Sequence, residues 1–422
     1  MRVLFTVIPE KTIFLTMVPL AWALRTAGHE VVVASQPSFA DTITQAGLTA
    51  VPVGRSIDMW RISRLTPDLM EEARHGLSIP WDVAVDPANA NWQYLTYGYD
   101  EAIREGLKPD NFPMIAGLAE FARAWQPDLV IWEPLSPAGA IAAKACGAAH
   151  ARLLWSIDVF GATRAEYLRL RDERPAHDRA DPLADWLGSY GSRYGYEYTE
   201  DMATGHFSID QLPDTLRLDT DLHRLPMRYV PYGGPAVVPK WLWAKPERPR
   251  IALTMGTTAS EFFAGNVLNL GDVLDSLADL DVEVVATVAD AEREKLNPVP
   301  GNARVLPYVP LHALAPTCSV VISHAGPGTF LTTALHAVPQ VSVPWDFDEP
   351  ELARRAAVQG GSLAIPADQA TGDSIRDAVQ RLLAEPEFRR RAADLRDDLH
   401  ALPAPAEVAG ELVELAAAYR GS

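Results

Sequence analysis

Residues 2–8 are apolar without a break, as in a strand buried on both faces. A short polar loop follows. Residues 16–27 then repeat apolar positions at helical spacing, with Gly28 placed to close the helix. Residues 29–35 return to a strand pattern. Strand, loop, helix, glycine and strand make a βαβ unit, which predicts a parallel sheet with helices on its faces. The pattern continues with a strand at 49–53, a helix at 113–125, a strand at 128–132 and a helix at 138–146 closed by Gly147. A second series opens with a strand at 250–255 and runs through strands at 282–288, 303–306, 319–323, 340–343 and 362–365. Helices are predicted between and after them at 267–277, 328–337, 350–358, 373–384, 386–400 and 406–419.

Two segments break the pattern. Residues 55–110 and 160–225 carry many Trp, Tyr, Asp and Pro residues without a clean period, and read as insertions with short helices that shape a substrate site. Between 231 and 250 lie Gly233, Gly234, Pro235, Pro239, Pro246 and Pro249, a density that suggests a linker. The expected fold is α/β, with two Rossmann-like doubly wound domains facing a cleft. The expected boundaries are 1–230, a linker at 231–250, a second domain at 251–402, and a last helix at 403–422 that crosses back to the first domain.

Composition narrows the partners. A formal net charge of −18 argues against nucleic acid, which needs a basic face, and against anionic membrane surfaces. A small anion is still compatible, because backbone amides at a helix N-terminus hold phosphate without a cationic patch. Cys146 and Cys318 lie far apart in apolar stretches and read as free buried thiols. No Cys/His group has zinc-ligand spacing. The apolar run at 2–8 is too short for a signal core, and no window reaches the ~18 apolar residues of a membrane helix, so a cytoplasmic protein is expected.

The strongest local signal is Ser323-His324-Ala325-Gly326-Pro327-Gly328-Thr329-Phe330, which follows a strand and opens a helix. Its glycines admit a close backbone approach, the helix N-terminus offers free N–H groups, Thr329 adds a hydroxyl, and His324 adds a donor that can carry charge. A second turn, Thr254-Met255-Gly256-Thr257-Thr258, also follows a strand, and both turns can face one cleft. The third element is Pro344-Trp345-Asp346-Phe347-Asp348-Glu349-Pro350. Its carboxylates can accept hydrogen bonds from sugar hydroxyls, or Asp348 and Glu349 can simply cap the next helix.

Segment 318–358 resembles the donor-binding signature of the family 1 glycosyltransferases of GT-B fold, and within these the actinomycete antibiotic enzymes that transfer deoxysugars from thymidine diphosphate. His324, Gly326, Gly328 and Thr329 match the family's diphosphate motif, with Pro327 where glycine is common. Thr258 matches a hydroxyl position near the phosphates, in the turn that also offers Gly256 and Thr257 as donor-site candidates; Val309 in Tyr308-Val309-Pro310-Leu311 matches the backbone that holds the base, and Asp348-Glu349 match the pair that contacts the donor sugar. The resemblance extends over nearly the whole chain, including Val18-Pro19-Leu20, Gly28-His29-Glu30-Val31, Pro127-Asp128-Leu129-Val130 and Val238-Pro239-Lys240-Trp241. It implies an inverting hexosyltransferase of antibiotic biosynthesis, with an N-terminal acceptor domain for a polyketide or related aglycone and a C-terminal domain for the nucleotide sugar. It implies no metal and no cofactor beyond the sugar donor as co-substrate. Several such enzymes work with a P450-like auxiliary protein, which the resemblance would dock between 155 and 180; it also leaves a homodimer open.

One position departs from the family. The loop after the first strand usually carries a histidine that acts as general base on the acceptor hydroxyl. Here Pro9-Glu10-Lys11-Thr12-Ile13 places Ile13 there, which accepts no proton. A base needs hydrogen-bond reach and a pKa near the working pH. The candidate catalytic residues are Glu133, Asp158 and Thr12, with Glu133 preferred because relatives that form C–C bonds place a carboxylate near it; Glu10 lies in the same loop. Alternatively the acceptor is already nucleophilic, or the chain is a non-catalytic partner of another transferase, or it is a nucleotide-sugar epimerase on the same fold.

Overall fold

The computed structural model describes residues 1–58, 76–256, 268–294, 296 and 298–421. Thr257 and Thr258 lie outside the described residues. The chain builds two parallel sheets. The first holds β1 (Arg2–Thr6), β2 (Glu30–Ser35), β3 (Ala50–Pro52), β4 (Leu129–Trp132), β5 (Ala149–Leu153), β6 (Phe207–Asp210) and β7 (Arg224–Pro226), in the order β3-β2-β1-β4-β5-β6-β7. The second holds β8 (Arg250–Thr254), β9 (Glu283–Thr287), β10 (Ala303–Leu306), β11 (Val320–Ser323), β12 (Gln340–Ser342) and β13 (Ser362–Ala364), in the order β10-β9-β8-β11-β12-β13. Every named pairing is parallel.

In both sheets the winding reverses beside the first strand, between β1 and β4 and between β8 and β11. The crevice beyond those strand ends is where open α/β sheets bind ligands. The continuous apolar run of β1 is explained by its two covered faces. Val3 and Phe5 join a cluster with Phe14, Met17 and Leu20 of the helix Lys11–Thr26, while Leu4 joins another with Ile115 and Leu118 of the helix Lys108–Trp125. The helix Pro405–Tyr419 adds Val408, Leu412 and Ala416 to the Phe5 cluster, so it packs on the first sheet.

Two expectations need correction. The segment 160–225 is not an insertion of short helices alone: it supplies β6 and β7, which extend the first sheet beyond β5. These strands have four and three residues, too few to show alternation. The helix expected at 16–27 starts at Lys11, because the Glu10 side chain caps it by accepting from the Thr12 N–H at 3.1 Å. No helix among the described residues is long and apolar enough to cross a membrane.

Candidate active site

The glycine-rich turn forms where β11 ends. Gly326 occupies the N-cap position of the helix Pro327–Ala334, and no side chain caps it. Pro327 has no N–H, and the Phe330 N–H already binds the Gly326 carbonyl at 2.9 Å. The amides of Gly328 and Thr329 therefore have no intrahelical partner and face outward at the positive end of the helix dipole. Ala325 is held at φ 66°, a left-handed conformation that a residue with a Cβ rarely adopts, and such strain concentrates at functional turns.

The turn after β8 closes on it. A Cβ at Gly256 would lie 2.6 Å from the His324 ring, and one at Gly326 closer still, so the imidazole sits between two backbones that only glycine permits. Gly256 also has φ 76°. Burial pushes His324 down to about 4. The imidazole is neutral at pH 7, so the expectation of a charged donor is corrected: His324 offers at most one neutral N–H. The Thr254 backbone lies against the ring, Nδ1 makes no well-aligned hydrogen bond among the described residues, and Nε2 lies 3.5 Å from Glu349 Oε1.

The loop after β12 brings three carboxylates together. Glu349 Oε2 accepts from the N–H groups of Trp345 and Asp346 at 3.3 and 3.1 Å. Asp348 accepts a hydrogen bond from the Ser156 hydroxyl, which lies after β5 in the first sheet. Burial raises Asp346 to about 6 and Asp348 to about 7, and burial with its acidic neighbours puts Glu349 well above the usual carboxylate range. Asp348 stands at the N-cap position of the helix Glu349–Gln359 but makes no side-chain cap bond. Capping therefore does not account for this carboxylate.

At the other switch point, between β1 and β4, stands Glu133. It is fully buried, accepts from the Ile8 N–H at 3.3 Å and the Leu135 N–H at 2.7 Å, and is pushed up to about 8 by burial. Trp155 and Phe160 cover the neighbouring space. Their rings lie 6.2 and 5.9 Å from Phe347 of the carboxylate loop, and Trp81 packs on Phe160 at 4.6 Å. Aromatic walls of this kind suit a large apolar acceptor.

Descriptions of the erythromycin biosynthesis protein CIII-like N-terminal and C-terminal domains match residues 22–256 and 271–415. The chain belongs to the erythromycin biosynthesis protein CIII-like family. It is 44% identical to a 10-deoxymethynolide desosaminyltransferase of Streptomyces venezuelae, over 100% of this chain and 98% of the relative. It is 41% identical to a 3-alpha-mycarosylerythronolide B desosaminyl transferase of Saccharopolyspora erythraea, over 100% and 99%. The crystal structure of the glycosyltransferase VinC in complex with dTDP superposes with a TM-score of 0.88 at 39% identity, covering 99% of this chain and 100% of that one. The spinosyn forosaminyltransferase SpnP gives 0.84 at 37%, covering 99% of each chain. The CIII-like chain is thus a glycosyltransferase of GT-B fold, and the epimerase reading drops away.

Within this CIII-like enzyme the structure sorts the residues singled out in the sequence. Gly256, His324, Gly326, Gly328 and Thr329 come together at the β8–β11 switch point, with Glu349 against His324. Asp348 turns toward Ser156. Val309 is buried in a cluster with Leu242 and with Ala252 and Val285 of the second sheet, and its neighbour Tyr308 is exposed. Asp158 is corrected. Its two oxygens take the Arg152 guanidinium at 3.0 and 2.6 Å and the Gly161 N–H at 2.9 Å, so it is a buried ion pair and helix cap with no freedom to accept a proton from a substrate. Thr12 is corrected likewise: it is exposed and its hydroxyl donates to Glu10 at 2.8 Å. Ile13 is buried in the apolar cluster with Phe14. Ser156 escaped the sequence reading, whereas Asp346 was named only as part of the carboxylate segment. Their position just beyond strand ends was the available signal.

A second cluster needs its own reading. His150, Asp201 and His206 bring ligand atoms within 4.8 Å of one another. His150 Nδ1 accepts from the Trp132 indole N–H at 3.2 Å, and His206 Nδ1 accepts from the His150 backbone N–H at 3.1 Å. Both Nε2 atoms therefore carry the protons and point them at Asp201, which also holds Lys144 at 2.8 Å. A metal would need those Nε2 lone pairs and the place of the ammonium. The group is a hydrogen-bonded clamp.

Proposed function

We propose that the chain transfers a deoxysugar or aminodeoxysugar from a thymidine diphosphate donor to a polyketide-type aglycone, with inversion at the anomeric carbon. The observation that carries this reading is the uncapped helix N-terminus at Gly328–Thr329, set at the β8–β11 switch point behind a neutral His324. The diphosphate lies across these amides. As the glycosidic bond breaks, negative charge grows on the leaving phosphate, and fixed N–H dipoles stabilise it more in the transition state than in the ground state. The neutral imidazole adds a directed hydrogen bond without needing a proton from solvent. Asp348 and Glu349 orient the sugar. Glu133 takes the acceptor proton, since a carboxyl that titrates near pH 8 is a far stronger base than an ordinary one. It is closed off from solvent here, so acceptor entry past Trp155 must uncover it. The relatives named above, which act on macrolide precursors, support the substrate class. A P450-like auxiliary protein, which rests on the resemblance alone, and a cytoplasmic setting, which rests on the sequence pattern, are further parts of the proposal.

The test is calorimetric titration with thymidine diphosphate and uridine diphosphate, for the wild type and Thr329→Ala. Tight thymidine diphosphate binding that weakens in the variant is expected. Absence of binding by the wild type would make the turn a structural feature and the chain a partner protein.

A further inference from the structure

Asp348 comes from the second sheet and Ser156 from the first, and their hydrogen bond is one of three consecutive links between the units. Asp346 pairs by its backbone with Gly76, Phe347 packs its ring on Trp155 and Phe160 while held at φ 40°, and Asp348 receives the Ser156 hydroxyl. Ser156 is 4% exposed and Asp348 3%, so this hydroxyl is a fixed part of the site. The sugar-facing pair is therefore unequal. Glu349 keeps Oε1 clear of backbone donors, beside His324, whereas Asp348 is already served by a protein hydroxyl.

A fully hydroxylated hexose brings a donor to each carboxylate, but a sugar that lacks one hydroxyl leaves one acceptor empty, and a buried empty acceptor is costly. We propose that Ser156 supplies Asp348 with the hydrogen bond that a deoxygenated sugar carbon cannot, and so sets the donor preference toward deoxysugars. This inference rests on the donor reading above. At the same carbon, a sugar hydroxyl finds Asp348 Oδ2 already taken by Ser156. Such a site discriminates by polar pairing, the form of recognition with the largest selectivity per group.

The experiment measures Kd for thymidine diphosphate, thymidine diphosphate glucose and a set of analogues each lacking a single hydroxyl. It uses the full chain as wild type, Ser156→Ala and Ser156→Thr. The wild type should prefer one deoxygenated donor over the glucose parent by about tenfold. Ser156→Ala should abolish or invert that preference, and Ser156→Thr should keep it, while thymidine diphosphate itself binds all three alike. An unchanged preference in Ser156→Ala would overturn the proposal, as would a change of one common factor for every sugar donor, which marks loop docking instead. Failure of thymidine diphosphate to bind the wild type would instead overturn the donor reading, and this inference with it.

Discussion

Glu133→Gln tests the central chemical assignment through stability as well as rate. The carboxyl is fully buried and pushed from 4.5 up to about 8. Between those values the unfolded chain carries it ionised and the fold holds it protonated, so the fold binds more protons and stability falls as pH rises. The slope is about 1.4 kcal/mol per pH unit, which gives a cost of about 3 kcal/mol at pH 7 relative to pH 4.5. Glutamine cannot ionise and so escapes this cost. It loses something else: its NH2 cannot accept, so either the Ile8 or the Leu135 N–H is left unpaired, a penalty of about 1–3 kcal/mol at every pH.

The two effects separate in a denaturant titration repeated from pH 5 to 9. The variant should start less stable at pH 5 and overtake the wild type as pH rises, the difference growing by about 1.4 kcal/mol per unit until it levels near pH 8. Transfer to a polyketide acceptor should meanwhile fall by about 10²–10⁴. In the wild type the rate should climb up to about pH 8, where half of Glu133 is ionised. A stability difference that does not change with pH would show that Glu133 is ionised in the fold, and the argument for a raised, strong base would collapse.

Other substitutions probe the remaining parts. Gly326→Ala drives a methyl into the His324 ring and should weaken thymidine diphosphate binding by at least tenfold, read by calorimetry, with little loss of helix content by circular dichroism. Asp158→Asn breaks the buried pair with Arg152 and should destabilise the fold by about 3 kcal/mol in denaturant while leaving nucleotide affinity unchanged; a selective loss of transfer activity would restore it as a catalytic residue. Burial, with His150 and Lys144 nearby, lowers His206 from 6.5 to about 4. The fold therefore prefers it neutral. Its contribution is complete above pH 6.5 and is lost as pH falls toward 4, so His206→Gln should flatten the acid limb of the stability profile.

How much of this was legible depended on the range over which each signal acts. The continuous runs that became β1, β4, β8 and β11, and the glycines around His324, are local. Burial on both faces demands unbroken apolar residues, and an imidazole held between two backbones demands glycine, so both leave marks within a few positions. β6 and β7 left none, because strands of four and three residues show no period and are fixed by pairing, β6 with β5 and β7 with β6. The charge state of His324 was misread for the same reason: residue type gave its donor, but only packing gave the burial that neutralises it. Asp158 and Glu133 make the contrast sharpest. Both are carboxylates beyond adjacent strands of one sheet, and only the family resemblance, not their local sequence, ranks Glu133 first. Arg152, on β5 itself, reaches one of them and holds it in a buried pair. The other, fully buried, receives the Ile8 and Leu135 amides with Trp155 beside it, and burial raises its pKa against them. What separates the paired carboxylate from the one proposed as base is the absence of a cation among the partners described for Glu133. Such an absence is a property of the assembled sheet and leaves no trace in the local sequence.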